Sequence, residues 1–117
     1  MKILIIDDNE QMRRMMKTVL RDLVDCVFEC DDGARALSAY TEHHPDWVLM
    51  DIDLPTVDGI SATRQIVAAH PEARIMIVTN YDDARLRERA CSAGAREYVV
   101  KENLMEMRRI LALGKWR

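Results

Sequence analysis

Four short apolar runs in the sequence end in five polar side chains, whose types suit the chemistry of a metal ion and an anion. They are three carboxylates, one hydroxyl and one ammonium: Asp7, Asp8, Asp51, Thr79 and Lys101. Two carboxylates about 4 Å apart repel each other by roughly 4 kcal/mol at an effective dielectric constant of about 20. A hard divalent cation relieves that repulsion, and Mg²⁺ accepts a few carboxylate oxygens together with water. One aspartate after a strand is usually a helix cap or a solvated turn, but this combination favours a shared site.

The apolar runs have the length and composition of buried strands. Five of them occur along the chain: Ile3–Ile6, Cys26–Cys30, Trp47–Met50, Ile75–Val78 and Tyr98–Val100. Four are nearly continuous in apolar residues, as strands buried on both faces are, whereas the second alternates and suits a sheet edge. Successive runs start at positions 3, 26, 47, 75 and 98. Each connection therefore has room for a helix rather than a hairpin turn.

The connections carry helical signals. A stripe of apolar residues at steps of three and one predicts the first helix: Met12, Met15, Met16, Val19, Leu20 and Leu23. The last helix is predicted by a similar stripe: Leu104, Met107, Ile110 and Leu111. Gly114 is interpreted as the C-cap of that helix. Asp82 and Asp83 can cap the helix that Gly94 closes, and weaker patterns favour helices over 33–40 and 59–70.

This alternation of strands and helices predicts an α/β fold with a parallel sheet and helices on both faces. Ligands of such sheets bind beyond the carboxyl ends of the strands. The five polar side chains are therefore expected to meet at one rim of the sheet.

Length and composition limit the classes of protein. We interpret residues 1–117 as one domain, and the 49% of apolar residues provides a core. A net charge of −3 disfavours a nucleic-acid-binding domain. No apolar run approaches the ~20 residues that span a bilayer, so no membrane association is expected. The run Ile3–Ile6 ends at Asp7, which argues against a signal peptide.

Three cysteines, Cys26, Cys30 and Cys91, are odd in number and lack metal-ligand spacing. We interpret them as reduced core residues of a cytoplasmic protein. His43 and His44 precede Pro45 and are interpreted as a solvated turn, while Trp47 is expected to be a packing residue.

The order and spacing of these motifs resemble those of a response regulator receiver domain, the phosphoacceptor part of two-component signalling. The resemblance spans nearly the whole chain. It depends on Asp7-Asp8, on the stretch from Asp51 through Asp53-Leu54-Pro55 to Asp58-Gly59, on Val78-Thr79 and on Tyr98-Val99-Val100-Lys101. It implies a flavodoxin-like (βα)5 fold, a doubly wound sheet of five parallel strands in the order 2-1-3-4-5.

The resemblance also implies a Mg²⁺ site. By analogy Asp8 and Asp51 bind the metal directly, Asp7 acts through water, and Asp53 contributes its backbone carbonyl. Asp51 would be the nucleophile that receives a phosphoryl group from the phosphohistidine of a sensor histidine kinase or a phosphotransfer protein. Lys101 would neutralise a phosphoryl oxygen. The domain would then be a signalling module that catalyses only its own phosphorylation and dephosphorylation.

Two switch residues follow from the same resemblance. Thr79 would move toward the phosphoryl group, to which its hydroxyl donates a hydrogen bond, and Tyr98 would turn inward after it. This change would alter a surface formed by the fourth helix, the fifth strand and the fifth helix, including Arg85, Arg89 and Arg108. An output domain or target protein would read that surface, a homodimer could form through it, and the domain itself would not contact nucleic acid.

Three positions depart from the family pattern. Glu102 follows Lys101 where the family often has a proline with a cis bond, so a trans bond is expected. Asn80 replaces a small residue and borders the expected phosphate site. Asp53 and Tyr81 occupy the positions that flank the path of the hydrolytic water in the family, and an acidic Asp53 could either orient water or repel a phosphodonor.

Two other functions remain open from the sequence. The stretch from Asp51 to Thr56 echoes the Asp-x-Asp motif of haloacid-dehalogenase-type phosphatases, although that motif normally follows the first strand rather than the third. The other alternative is a receiver-like interaction module that no longer accepts phosphate, for which Asn80 is the main argument.

Overall fold

Five parallel strands form one sheet in the computed structural model, which describes residues 1–115 and the side chains of residues 1–113. The strands are β1 (Lys2–Ile6), β2 (Cys26–Cys30), β3 (Trp47–Met50), β4 (Ile75–Thr79) and β5 (Glu97–Val100). Their order in the sheet is β2-β1-β3-β4-β5. The predicted parallel sheet and its strand order are therefore confirmed, and β2 lies at an edge as its alternating sequence indicated.

The helices connect successive strands, and one more follows the last strand: α1 (Glu10–Leu20), α2 (Ala36–His43), α3 (Gly59–Ala69), α4 (Ala84–Ala93) and α5 (Leu104–Lys115). Short 3-10 turns, Gly33–Arg35 and Lys101–Asn103, precede α2 and α5. Asn9, Asp58 and Asp83 cap α1, α3 and α4 by accepting backbone N–H groups of the first turn. Gly94 ends α4 at φ 107°, as predicted.

The core lies on both faces of the sheet, which explains why the central strands are apolar throughout. Leu4 and Ile6 of β1 face a cluster that includes residues of α2, α3 and α4. Ile3 and Ile5 face the opposite cluster, which includes residues of α1 and α5. Among the described residues, no helix is long and apolar enough to cross a membrane.

Several local predictions are wrong. Gly114 lies inside α5, which continues to Lys115. Cys30 is buried, but Cys26 and Cys91 are exposed, since Cys26 lies on the edge strand and Cys91 on the outer face of α4. All three thiols are free, as predicted.

The prediction of a solvated turn holds for His44, which is exposed, but not for His43, which lies in the last turn of α2 and is partly buried. The ring of His43 stacks on Phe28 with centroids 3.8 Å apart. His44 ends α2 in the left-handed conformation and meets the ring of His70 edge-on at 5.6 Å. Trp47 is buried, as expected of a packing residue. The described chain contains no cis peptide bond, so the predicted trans bond after Lys101 is confirmed.

Candidate functional site

Two aspartates and one lysine meet at the carboxyl ends of three strands. Lys101 Nζ lies 2.9 Å from Asp7 Oδ2 and 3.1 Å from Asp51 Oδ2. The sheet positions both aspartates, because the N–H of Asp7 donates to the carbonyl of Cys30 and the N–H of Asp51 donates to that of Ile6. Both carboxylates are buried, and only 6% of the Lys101 side chain is exposed. The structure thus brings together residues that the chain separates by up to 94 positions (from 7 to 101).

Asp8 completes an acidic group at this rim. Asp7, Asp8 and Asp51 each place one carboxylate oxygen within 4.8 Å of the others. Asp8 is exposed, so the group is open to solvent on one side. When ionised, the three carboxylates carry three negative charges, against the single positive charge of Lys101. Mg²⁺ prefers hard oxygen donors as ligands. The donor set therefore fits a divalent cation, and no further His, Cys, Asp or Glu group of this kind occurs in the described part of the chain.

Burial and charge shift the pKa values of the central pair. Burial raises the pKa of Asp51 to about 6; the nearby Asp7 carboxylate adds to this rise, while Lys101 opposes it. Burial alone would lower the pKa of Lys101, but the hydrogen bond with Asp7 and the charges of both aspartates raise it above its ordinary value. Lys101 is therefore a permanent cation at this site at neutral pH.

The loop after β3 orients Asp51. Oδ1 of Asp51 accepts the N–H of Ile52 at 2.8 Å, and the carbonyl of Ile52 accepts the N–H of Gly59 at 2.8 Å. A Cβ atom on Gly59 would lie 1.8 Å from the carbonyl oxygen of Asp51. Only glycine fits at this approach of α3 to the site.

We expect Gly59→Ala to lower the free energy of unfolding by about 1–3 kcal/mol, the usual cost of forcing extra atoms into a packed region. Alanine is otherwise the better helix residue by about 1 kcal/mol, so the loss would come from the clash with Asp51. Urea denaturation measures it. Gln65→Ala, an exposed change in the same helix, is the control, and an unchanged midpoint for Gly59→Ala would contradict the packing argument.

Thr79 lies at the end of β4, the strand next to β3 in the sheet. It is fully buried, and its hydroxyl oxygen lies 3.4 Å from the backbone nitrogen of Tyr81. The β3–β4 register pairs Met50 with Ile77, so Thr79 extends to the same rim as Asp51. Within residues 1–113 the Thr79 hydroxyl donates no hydrogen bond, so its hydrogen can point toward a ligand at that rim.

Two tyrosines link the loops beside the site. The hydroxyl of Tyr81 donates to Asp53 Oδ2 at 2.6 Å, and the hydroxyl of Tyr98 donates to the carbonyl of Tyr81 at 2.6 Å. The guanidinium of Arg87 lies 4.5 Å above the Tyr98 ring. The side chain of Asp53 is thus engaged by Tyr81 and is not one of the three clustered carboxylates. Arg87 was not among the residues predicted from the sequence, although its position one turn into α4, facing β5, was an available signal.

Arg108 was predicted on the surface of α4, β5 and α5, and this is wrong. Its Nη1 and Nη2 donate to the two carboxylate oxygens of Asp22 at 2.6 and 2.9 Å, and Nη1 also donates to the carbonyl of Val19 at 2.9 Å. Arg108 therefore joins α5 to the end of α1, on the other side of the helix.

Comparisons with known proteins agree on one family. A family model described as response regulator receiver domain matches residues 3–112. Chemotaxis protein CheY of Bacillus subtilis (strain 168) is 39% identical over 101 residues, which cover 86% of this chain and 84% of CheY. Transcriptional regulatory protein DegU of Brevibacillus brevis is 30% identical over 119 residues, which cover 97% of this chain and 50% of DegU. The chain thus spans most of CheY and half of DegU.

A solved structure shows the same architecture at similar identity. The two-component response regulator of the LuxR family from Aurantimonas sp. SI85-9A1 superimposes with a TM-score of 0.83 at 32% identity, covering 95% of this chain and 84% of that chain.

Proposed function

The chain belongs to the response regulator receiver domain family, and from this membership we propose that Asp51 accepts a phosphoryl group in a Mg²⁺-dependent reaction. Receiver domains are signalling domains of two-component systems that bind Mg²⁺ at an acidic pocket. The observation that carries the proposal is the buried pair of Asp51 and Lys101 beside Asp7 and the open Asp8.

The reaction uses a carboxylate oxygen of Asp51 as the nucleophile. An O–P bond forms to the phosphoryl group of a phosphohistidine, the N–P bond breaks, and the donor ring, which carries a proton on its other nitrogen, leaves as neutral imidazole. Lys101, already 3.1 Å from Asp51 Oδ2, shifts its ion pair to a phosphoryl oxygen. Thr79 donates its hydroxyl hydrogen to another phosphoryl oxygen.

Asp8 and Asp51 would hold Mg²⁺ as direct ligands, Asp7 would act through water, and Asp53 would contribute its backbone carbonyl. When bound, the ion neutralises charge on the carboxylates and on the transferring phosphoryl oxygens. The chain's own residues supply the nucleophile, the cation and the hydroxyl donor.

Intact-mass spectrometry after treatment with acetyl phosphate tests this function. We expect the mass gain of one phosphoryl group with Mg²⁺ and none with EDTA. Absence of the adduct under both conditions would favour a receiver-like interaction module. Repeated turnover of p-nitrophenyl phosphate would instead favour a phosphatase, although Asp51 follows β3 rather than the first strand.

Thr79 and Tyr98 are the proposed switch, and the surface of α4, β5 and α5 is the proposed output. A cavity of about 450 Å³ on that surface is lined by Arg87, Tyr98 and Glu106 among others. Tyr98 is half-buried there with its hydroxyl on the Tyr81 carbonyl, so movement of the Thr79–Tyr81 segment would be transmitted to it. The partners proposed for the domain are a sensor histidine kinase or phosphotransfer protein as donor, and an output domain, target protein or second copy at this surface.

We expect Tyr81→Phe to shorten the lifetime of the acyl phosphate by about fivefold, which corresponds to the loss of one hydrogen bond of about 1 kcal/mol. The hydroxyl of Tyr81 donates a hydrogen bond to Asp53 Oδ2. Without that hydroxyl, the Asp53 oxygen can accept a proton from the attacking water. Decay of the phosphorylated mass after removal of acetyl phosphate measures the rate.

The double variant Tyr81→Phe with Asp53→Asn is the control, because an amide cannot act as a base. Its lifetime should exceed that of Tyr81→Phe alone. An equal lifetime in both variants would show that Asp53 does not assist the water.

A further inference from the structure

A second cavity lies at the edge of the sheet opposite the acidic site. Its volume is about 400 Å³. It lies between the amino ends of strands β3, β4 and β5 and the C-terminal half of α5. Trp47 starts β3, Arg74 precedes β4 and Arg96 precedes β5, while Arg109 and Leu113 line the cavity from α5. This volume falls within the range of small-molecule sites, about 300–1,000 Å³.

The charges around this cavity are not balanced. Arg109 pairs with Glu106, its Nε lying 2.8 Å from Oε2, and Glu97 lies in the same wall. No ion pair found in residues 1–113 involves Arg74 or Arg96. The guanidinium of Arg96 donates to the carbonyl of Glu72 at 3.4 Å and makes no other hydrogen bond within the described side chains. Two guanidinium groups are therefore available to an anion.

The remaining wall of the cavity is apolar. Trp47 is only 7% exposed, and its indole N–H is buried with no acceptor among the residues that the structure describes. Because this nitrogen is buried, Trp47 offers the cavity the apolar part of its ring. Ile110 and the exposed Leu113 extend the apolar wall along α5.

We propose that this cavity binds a small organic oxyanion, a carboxylate or phosphate attached to an apolar group. The oxyanion contacts Arg74 and Arg96, because the guanidinium fork matches the geometry of both groups. The apolar part packs between the Trp47 ring and Leu113. This site is independent of the proposed phosphorylation of Asp51, which lies at the other end of the strands.

Titration with phenyl phosphate and with benzoate, followed in ¹H–¹⁵N correlation spectra of the full chain in EDTA, tests the proposal. The signal of the Trp47 indole N–H, identified by its absence in Trp47→Phe, should shift at millimolar concentrations of at least one of the two anions. Comparison of the two titrations shows whether the site prefers a phosphate or a carboxylate. Benzamide, which has the ring without the charge, should leave the signal in place.

Variants connect the shift to the arginines. The double variant Arg74→Gln with Arg96→Gln should bind at least about tenfold more weakly, because it lacks the charge-assisted hydrogen bonds. Arg64→Gln, at an exposed arginine of α3, should bind as the parent does. The proposal is overturned if neither anion shifts the indole signal, if benzamide shifts it equally, or if the double variant, with a folded spectrum, binds undiminished.

Discussion

Asp51→Asn is expected to abolish phosphorylation of the domain by acetyl phosphate in the presence of Mg²⁺. The asparagine amide keeps the shape of the side chain and its place beside Lys101, but it lacks the anionic oxygen that must form the O–P bond. Loss of the nucleophile removes the covalent product altogether, whereas loss of a supporting residue would only slow the formation of that product. Intact-mass spectrometry, with hydroxylamine to cleave any acyl phosphate, measures the result.

Asp31→Asn is the matched control for this experiment. Asp31 is an exposed aspartate whose carboxylate pairs with Arg35 and lies outside the acidic group. The same chemical change there should leave the phosphorylated fraction unchanged. Hydroxylamine-labile labelling of Asp51→Asn at the parent level would contradict the assignment of Asp51 as the phosphoacceptor.

The rim of the sheet could be predicted because strand ends are easy to locate in this sequence. Ile3–Ile6 and Trp47–Met50 are buried on both faces, so each run is apolar to its last residue and the first polar residue marks the rim. The same pattern is sufficient to place Asp7, Asp51 and Lys101 at strand ends. The strand order came from the family resemblance, since an apolar run carries no information about its neighbours in the sheet.

Side-chain directions on the helices could not be predicted in the same way. Arg108 and Arg109 are adjacent in sequence, yet Arg108 reaches Asp22 beyond α1 whereas Arg109 pairs with Glu106 and lines the second cavity. A helix rotates by about 100° per residue, so its rotation about its own axis decides which partner a side chain meets. The Tyr81–Asp53 hydrogen bond was missed for a related reason, because it joins two loops whose approach is set by the whole fold.

The acidic site also has an energetic consequence that the sequence did not reveal. Burial raises the pKa of Asp51 from 3.8 to about 6. A raised pKa in the folded state means that the folded protein retains this proton while the unfolded chain has already lost it. The contribution of Asp51 to the free energy of unfolding is therefore most favourable below pH 4 and is lost as the pH rises through 6. The shift corresponds to about 3 kcal/mol at neutral pH.

Asp51→Asn should consequently stabilise the metal-free domain at pH 7.5, by up to about 3 kcal/mol. The amide is neutral at every pH, so the variant avoids the cost of a buried charge beside Asp7, while Lys101 retains its ion pair with Asp7. The gain over the parent should shrink as the pH falls from 6 to 4, because Asp51 is already protonated in the folded protein and becomes increasingly protonated in the unfolded chain. Urea denaturation in EDTA at pH 4.5 and 7.5 measures both values.

The response to Mg²⁺ separates this electrostatic effect from simple repacking around residue 51. A ligand that binds only the folded state stabilises it in proportion to its affinity, so Mg²⁺ should stabilise the parent and reduce the advantage of Asp51→Asn. Asp31→Asn should follow the parent under every condition. Two outcomes would show that burial of the Asp51 charge does not lower the stability of the fold. In one, Asp51→Asn is less stable than the parent at pH 7.5; in the other, its gain in the free energy of unfolding is the same at both pH values. The expected result would instead show that Asp51 lowers the stability of the metal-free domain. A pocket of several carboxylates suits a bound cation, but in the absence of a cation it is an unfavourable environment for each carboxylate.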